Sequence, residues 1–146
     1  MLFGLTGCVE PVIHSSEEVL PDEGWYLNDS KSFDFHITDH TVPVDFFLQV
    51  RNNKDYPYRN MYVFVDIDFP SGSNRRDTVS FILATPDGRW VGEGGGSTYD
   101  NDVMFIRRAM LPDTGRYSVR IGHGMRDSVL IGVERIGLIV EASEGG

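Results

Sequence analysis

Two aspartates, Asp66 and Asp68, are the first residues to examine for catalysis in this sequence. They alternate with apolar residues over positions 61–69, which predicts a β-strand carrying both carboxylates on one face. Two positions along a strand separate them by ~7 Å, a spacing compatible with an inverting glycosidase pair or with calcium binding. Catalytic carboxylates normally come from different strands, whereas acids on one exposed strand face are usually only solvated. The sequence therefore predicts no enzyme.

Other patterns that carry chemistry are incomplete. The glycines of residues 92–96, GEGGG, lack the lysine and the following helix that a phosphate-binding loop needs. No GxSxG motif is present, and the histidines do not stand at the spacing of a metal site. These histidines are His14, His36, His40 and His123. No catalytic residue, metal site or cofactor is predicted.

Turns rich in arginine and aromatic residues are the candidates for binding. Loops on a rigid scaffold commonly carry function, and arginine suits a partner through its planar set of donors. We expect the turn at residues 51–59 and the turn at residues 123–126 to form one surface with Tyr58. The candidates for binding a partner protein or a glycan are Arg51, Tyr56, Tyr58, Arg59, Trp90, Met125 and Arg126.

The same residues have structural alternatives, which the sequence leaves open. The tyrosines can cap one end of the core while their hydroxyls stay in water. Trp90 can fold over the core and shelter the glycine loop, or it can serve as a sugar platform. Arg51 and Arg126 can hold the loops together through acids within the domain, namely Asp66, Asp68 or Asp127.

Composition and charge exclude several classes of function. The chain has 146 residues, 40% hydrophobic and 24% charged, which suits one globular domain. Its formal net charge of −9 argues against a nucleic-acid partner and against electrostatic docking on anionic lipid. No run of 18 apolar residues is present that could span a membrane as a helix.

The N-terminus carries a lipidation signal at the chain's single cysteine. Residues 5–8 read LTGC, the pattern in which a bacterial signal peptidase cleaves before a cysteine that receives acyl chains. Residues 1–7 are then a truncated signal peptide, and Cys8 anchors the protein in a membrane. Val9 is not the aspartate that retains lipoproteins at the inner membrane, and no acidic pair directly follows Cys8. We therefore expect outer-membrane anchoring on the periplasmic face.

Composition also sets the expected boundaries. Residues 8–24, which are acidic and contain two prolines and two serines, are predicted to be a flexible tether behind the lipidated cysteine. A folded domain is expected over residues 25–142, and residues 143–146 are expected to fray.

Alternating apolar residues between turn signals predict an all-β fold. About eight short antiparallel strands are expected, and no segment has a sustained helical period. They centre on residues 33–37, 44–50, 61–69, 78–84, 89–91, 103–110, 116–122 and 133–141, with a brief pairing at 129–131. This pattern is typical of a β-sandwich, and we expect one of jelly-roll type.

Three segments, in this order behind LTGC, give the sequence a family resemblance. They are YPYRNMY at residues 56–62, DGRWVG at 87–92, and GRY followed by HGMR at 115–117 and 123–126. Together they resemble the gliding-motility lipoprotein family GldH over nearly the whole chain. The shortened leader is the departure from that family.

The resemblance implies a small lipid-anchored envelope protein that takes part in gliding motility beside the type IX secretion machinery. It implies no enzymatic activity, no catalytic residues and no cofactor. Other envelope proteins are the expected partners, together with the membrane at Cys8. A carbohydrate-binding β-sandwich lipoprotein domain is the alternative, because jelly rolls often bind glycans through aromatic platforms.

Overall fold

The computed structural model describes residues 12–144, which form ten β-strands and no helix. The strands are β1 (Val12–Val19), β2 (Trp25–Tyr26), β3 (Lys31–Ile37), β4 (Val44–Asn53), β5 (Asn60–Asp68), β6 (Asn74–Ile82), β7 (Thr98–Ala109), β8 (Gly115–His123), β9 (Val129–Leu130) and β10 (Val133–Ala142). The predicted all-β class is confirmed. The predicted count of about eight was too low, because the prediction missed β1 and the two-residue strand β2. The predicted strand at residues 89–91 was wrong, since only an isolated bridge joins Trp90 to Ala84 there.

Two four-stranded antiparallel sheets pack in a sandwich. Sheet I has the order β1-β10-β4-β7, and sheet II has the order β3-β8-β5-β6. The short strands β2 and β9 pair beside them. Every pairing is antiparallel, and the apolar faces of both sheets enclose one core.

The core follows the alternation in the sequence. On β5 the residues Met61, Val63, Val65 and Ile67 are at most 2% exposed, whereas Tyr62 on the opposite face is 43% exposed. Strands β4, β8 and β10 contribute alternating buried residues in the same way. Burial of one strand face against the other sheet therefore fixes the register of each strand.

The structure corrects the predicted tether. Residues Val12–Val19 form strand β1, which pairs with β10 from Val12 opposite Glu141 to Val19 opposite Arg135. Serines and glutamates are typical of an edge strand, since one side of such a strand stays in water. The folded domain therefore includes Val12–Val19, ahead of the predicted boundary at residue 25. Cys8 and the predicted signal peptide lie outside the described residues.

Four further boundaries differ from the sequence prediction. The predicted turn at residues 51–53 continues β4, because these residues pair with β10 on one side and β7 on the other. Strand β7 begins at Thr98, five residues early, and β6 is shifted to Asn74–Ile82. At the expected frayed tail, Ser143 donates its N–H to Pro43 and its hydroxyl to Asp45.

The sandwich has two ends, and they differ in what they carry. The Val12 end holds the start of β1, the end of β10, and the loops of residues 38–43, 69–73 and 110–114. The Tyr58 end holds the loops of residues 20–30, 54–59, 83–97 and 124–132. Each antiparallel strand runs from one end to the other.

Candidate partner-binding surface

Two loops meet at the Tyr58 end. The Tyr58 hydroxyl donates to a carboxylate oxygen of Asp127 over 2.7 Å, across 69 residues of sequence. Gly124 donates its N–H to the Tyr62 carbonyl over 2.7 Å, and the Tyr62 N–H lies 3.4 Å from the sulfur of Met125. We call this region the Tyr58–Asp127 surface.

The Tyr58–Asp127 surface is an open hollow of about 250 Å³ with mainly apolar walls. Its lining residues are Tyr58, Tyr62, Gly124, Met125, Arg126 and Asp127. Tyr58 is 38% exposed and Tyr62 is 43% exposed, while Met125 packs partly against the core. The arrangement offers aromatic and thioether area with one arginine beside it.

A close backbone contact holds the loop that carries Tyr58. Gly132 has φ +84°, and a Cβ there would stand 2.3 Å from the Tyr56 nitrogen, so only glycine fits. The Gly132 carbonyl accepts the N–H of Asn53 over 2.9 Å. Tyr56 is buried, donates its hydroxyl to the Asn60 carbonyl over 2.6 Å, and meets the Tyr58 ring edge-on at 5.9 Å. These contacts hold the loop that carries Tyr58 in one position.

A buried histidine supports the second loop. His123 is 2% exposed, and its Nδ1 accepts the N–H of Met125 over 3.2 Å. Its ring packs edge-on against Trp25 at 5.4 Å. Burial lowers the pKa of His123, which keeps the ring neutral and able to accept this bond. The Nε2 atom has no hydrogen-bond partner among the described residues.

The electrostatics of the surface are asymmetric. The bond to Asp127 raises the pKa of the Tyr58 hydroxyl, so Tyr58 stays protonated and the Asp127 carboxylate accepts its hydrogen bond. Arg59 and Arg126 are exposed, and neither forms an ion pair with any residue from 12 to 144. Two exposed guanidinium groups are therefore available at this end of a chain that is acidic overall.

Comparison with known proteins decides the family. The model of the GldH lipoprotein family matches residues 12–140. The chain belongs to the GldH family. It is 29% identical over 127 residues to a gliding motility lipoprotein GldH homolog of Christiangramia forsetii, covering 82% of this chain and 78% of that protein. It is 30% identical over 113 residues to the gliding motility lipoprotein GldH of Flavobacterium johnsoniae, covering 77% and 70%.

In this GldH-family chain the structure separates the predicted binding residues. Tyr58, Met125 and Arg126 line one hollow, whereas Arg59 follows Tyr58 in the same loop and is not among the lining residues. Arg51 lies instead on the outer face of sheet I, where it donates two bonds to Asp100 over 2.8 and 3.1 Å. These bonds lower the pKa of Asp100. Tyr56 is buried and unavailable to a ligand.

Trp90 lies in the neighbouring loop. The Arg59 carbonyl accepts the N–H groups of Leu83 and Ala84 over 2.7 and 3.2 Å, which brings this loop against the Tyr58 loop. The Trp90 ring is half-buried against the core and stacks on Tyr99 at 5.7 Å and 27°. Tyr99 therefore covers one face of the indole.

The aspartates considered for catalysis are held by arginines on the outer face of sheet II. Asp66 accepts two bonds from Arg76 over 2.7 and 2.9 Å, and Asp68 pairs with Arg120. The bond from Arg76 lowers the pKa of Asp66. In residues 12–144 no group of three His, Cys, Asp or Glu side chains is placed to hold a metal ion. The same residues contain no helix with the length and apolarity needed to cross a bilayer.

One residue of the surface escaped the sequence prediction. Tyr62 was considered with the other tyrosines of residues 56–62, and its place on the polar face of β5 indicated exposure. Asp127 was considered only as an arginine partner, and nothing local in the sequence indicates its bond to Tyr58.

Proposed function

We propose that this chain is a lipid-anchored, non-enzymatic envelope protein that binds a partner protein of the gliding apparatus through the Tyr58–Asp127 surface. The names of its relatives, gliding motility lipoproteins, and the LTGC sequence before Val9 support the anchor and the process. Outer-membrane anchoring facing the periplasm, close to type IX secretion, is part of the proposal. The identity of Val9 supports that sorting.

The observation that carries the proposal is the composition of a rigidly held surface. Aromatic, methionine and arginine side chains are enriched in protein interfaces, and Tyr58, Met125 and Arg126 supply all three types. Bonds from both loops hold the Tyr58 side chain and the Met125 backbone before a partner arrives, which reduces the entropy lost on binding. Arg59 and Arg126 suit an acidic patch on the partner.

A protein partner is favoured over a glycan. A sugar platform needs open aromatic faces side by side. Tyr56 is buried, and Trp90 and Tyr99 cover each other's faces. Tyr58 and Tyr62, the exposed rings of this surface, lie beside a methionine, which suits an apolar protein contact better than a sugar.

We also infer jelly-roll connectivity for the scaffold. The order of the eight long strands supports this connectivity. The chain passes repeatedly from one sheet to the other, so that neighbouring strands within a sheet are mostly far apart in sequence. Such crossing brings loops far apart in sequence to one end, which is what the proposed surface requires.

Charge reversal at the surface tests the proposed partner. In the encoding bacterium, the double substitution Arg59→Glu and Arg126→Glu should abolish spreading of colonies and crosslinking to the partner, while protein abundance and melting temperature stay at wild-type values. The control reverses Arg75 and Arg116, which are exposed and lie toward the Val12 end; because they pair with Asp77 and Asp34, its melting temperature is measured as well. Normal motility in the first variant, or equal loss in both, contradicts the proposal.

Fatty-acid labelling tests the anchor. Radiolabelled palmitate should mark the wild-type chain and leave Cys8→Ala unlabelled, because the thiol and the new amine at Cys8 are the acylated groups. Protease added to intact cells should spare the domain if it faces the periplasm. Equal labelling of both chains contradicts lipidation, and rapid cleavage contradicts the proposed face.

A further inference from the structure

The distance between the proposed anchor and the folded domain is short. Strand β1 begins at Val12, so only Val9, Glu10 and Pro11 separate it from Cys8. Four residue steps span at most ~13–14 Å even when fully extended. A lipidated Cys8 therefore holds the Val12 end of the sandwich within that distance of the acyl chains.

The Val12 end presents apolar groups to solvent. Met110, in the loop after β7, is 62% exposed, and Val12 and Ile13 are 44% and 37% exposed. A shallow hollow of about 210 Å³ opens beside them. It is lined by Ile13, His36, Ile37, Thr38, Asp39, Val42 and Ala142. Apolar side chains at this position lie within reach of a membrane interface.

We propose that the Val12 end rests on the bilayer surface, with Ile13 and Met110 at the lipid interface and the Tyr58–Asp127 surface turned away. This inference rests on the lipidation of Cys8 in the proposed function. The lipid is zwitterionic, because a chain of net charge −9 is repelled by an anionic surface. Apolar contact and the short linker hold the domain there.

The orientation sets the height of the partner-binding surface. Strand β5 has nine residues and runs the length of the sandwich toward the Val12 end. At ~3.3 Å per residue the Tyr58 end stands roughly 30 Å above the end that touches lipid. A partner is therefore met well clear of the headgroups.

Single-cysteine labelling of the lipidated protein tests the orientation. Cys8 is the chain's single cysteine, and lipidation blocks its thiol, so an introduced cysteine is the free one. Met110→Cys and Ile131→Cys are matched, because both side chains are exposed, at 62% and 46%, and lie at opposite ends. Each variant receives a small fluorophore and is reconstituted into phosphatidylcholine vesicles that contain a headgroup-nitroxide lipid. Melting temperatures check that both variants fold.

The label at position 110 should be quenched several-fold more strongly than the label at position 131. Equal quenching at the two positions overturns the orientation, because it indicates a domain that tumbles on its linker. The same labelled protein is also placed in native membranes that contain the nitroxide lipid. If the label at position 110 is quenched there but not in pure lipid vesicles, a membrane protein covers the Val12 end, and the proposed orientation is overturned. The mass of the protein reports acylation separately. An unacylated Cys8 overturns the anchor itself, whereas acylation with equal quenching overturns only the orientation.

Discussion

Replacing Trp90 by alanine should destabilise the domain by about 2–4 kcal/mol. The indole packs against the core from a loop and stacks on Tyr99. A large aromatic side chain buries about 150–250 Å² at about 25 cal/mol per Å², and aromatic pairing adds about 0.5–1.5 kcal/mol. Trp90 is only half-buried and its loop can collapse, so the loss falls below the ~3–5 kcal/mol of a fully buried tryptophan.

Urea unfolding measures this loss. With a slope of about 2 kcal/mol per M, the midpoint of the Trp90→Ala variant should fall by about 1–2 M at unchanged slope. Trp90→Phe, which keeps a ring against Tyr99, should lose about half as much. Val91→Ala is the matched control, because Val91 is the next residue and is 49% exposed; we expect a change below about 0.5 kcal/mol.

The refuting result is specific. If Trp90→Ala keeps the wild-type midpoint but loses binding on a glycan array, then Trp90 is a sugar platform and its packing role is wrong. If the midpoint falls equally for Val91→Ala, the loop tolerates no substitution, and the packing of the indole is not what stabilises the domain.

Two further predictions concern buried polar groups. Burial lowers the pKa of His123 and of His14, so the stabilisation that their neutral rings provide is complete above about pH 6.5 and declines as pH falls. The melting temperature should therefore fall less between pH 7 and pH 5 in His123→Phe than in the wild type, and an equal fall in both contradicts the argument. Tyr117→Phe should cost about 1–2 kcal/mol in urea unfolding, because the buried Tyr117 hydroxyl donates to the Asp113 carbonyl over 2.7 Å and accepts its N–H over 3.3 Å; a loss below about 0.5 kcal/mol would mean that water replaces both bonds.

The alternation of apolar and polar residues along a strand can be read from the sequence alone, and it was sufficient to predict core residues. Met61, Val63 and Val65 share the apolar face of the strand predicted over residues 61–69, and all three are fully buried. The same reasoning holds for Phe46 and Leu48 on β4. Each of these residues needs only an apolar sheet opposite, whichever strand supplies it.

Contacts that depend on register between distant strands could not be read from the sequence. Arg51 pairs with Asp100 because β4 lies beside β7 in one particular register, and its position in a predicted turn gave no sign of this. The Tyr58–Asp127 bond depends in the same way on two separate loops, each of which crosses from one sheet to the other. Only the topology decides which of many acids such a side chain meets.

Strand β1 shows why composition misled the domain boundary, and the correction changes the mechanical argument. A disorder prediction asks whether a segment can bury enough apolar surface by itself, and serines and glutamates cannot. An edge strand needs much less, because β10 offers it a row of backbone partners and only one face must approach the core. His14 does so against Phe33 and Phe35. With β1 folded, three residues separate Val12 from Cys8 where a tether of sixteen was predicted, and the proposed anchor then constrains which end of the sandwich a partner can reach.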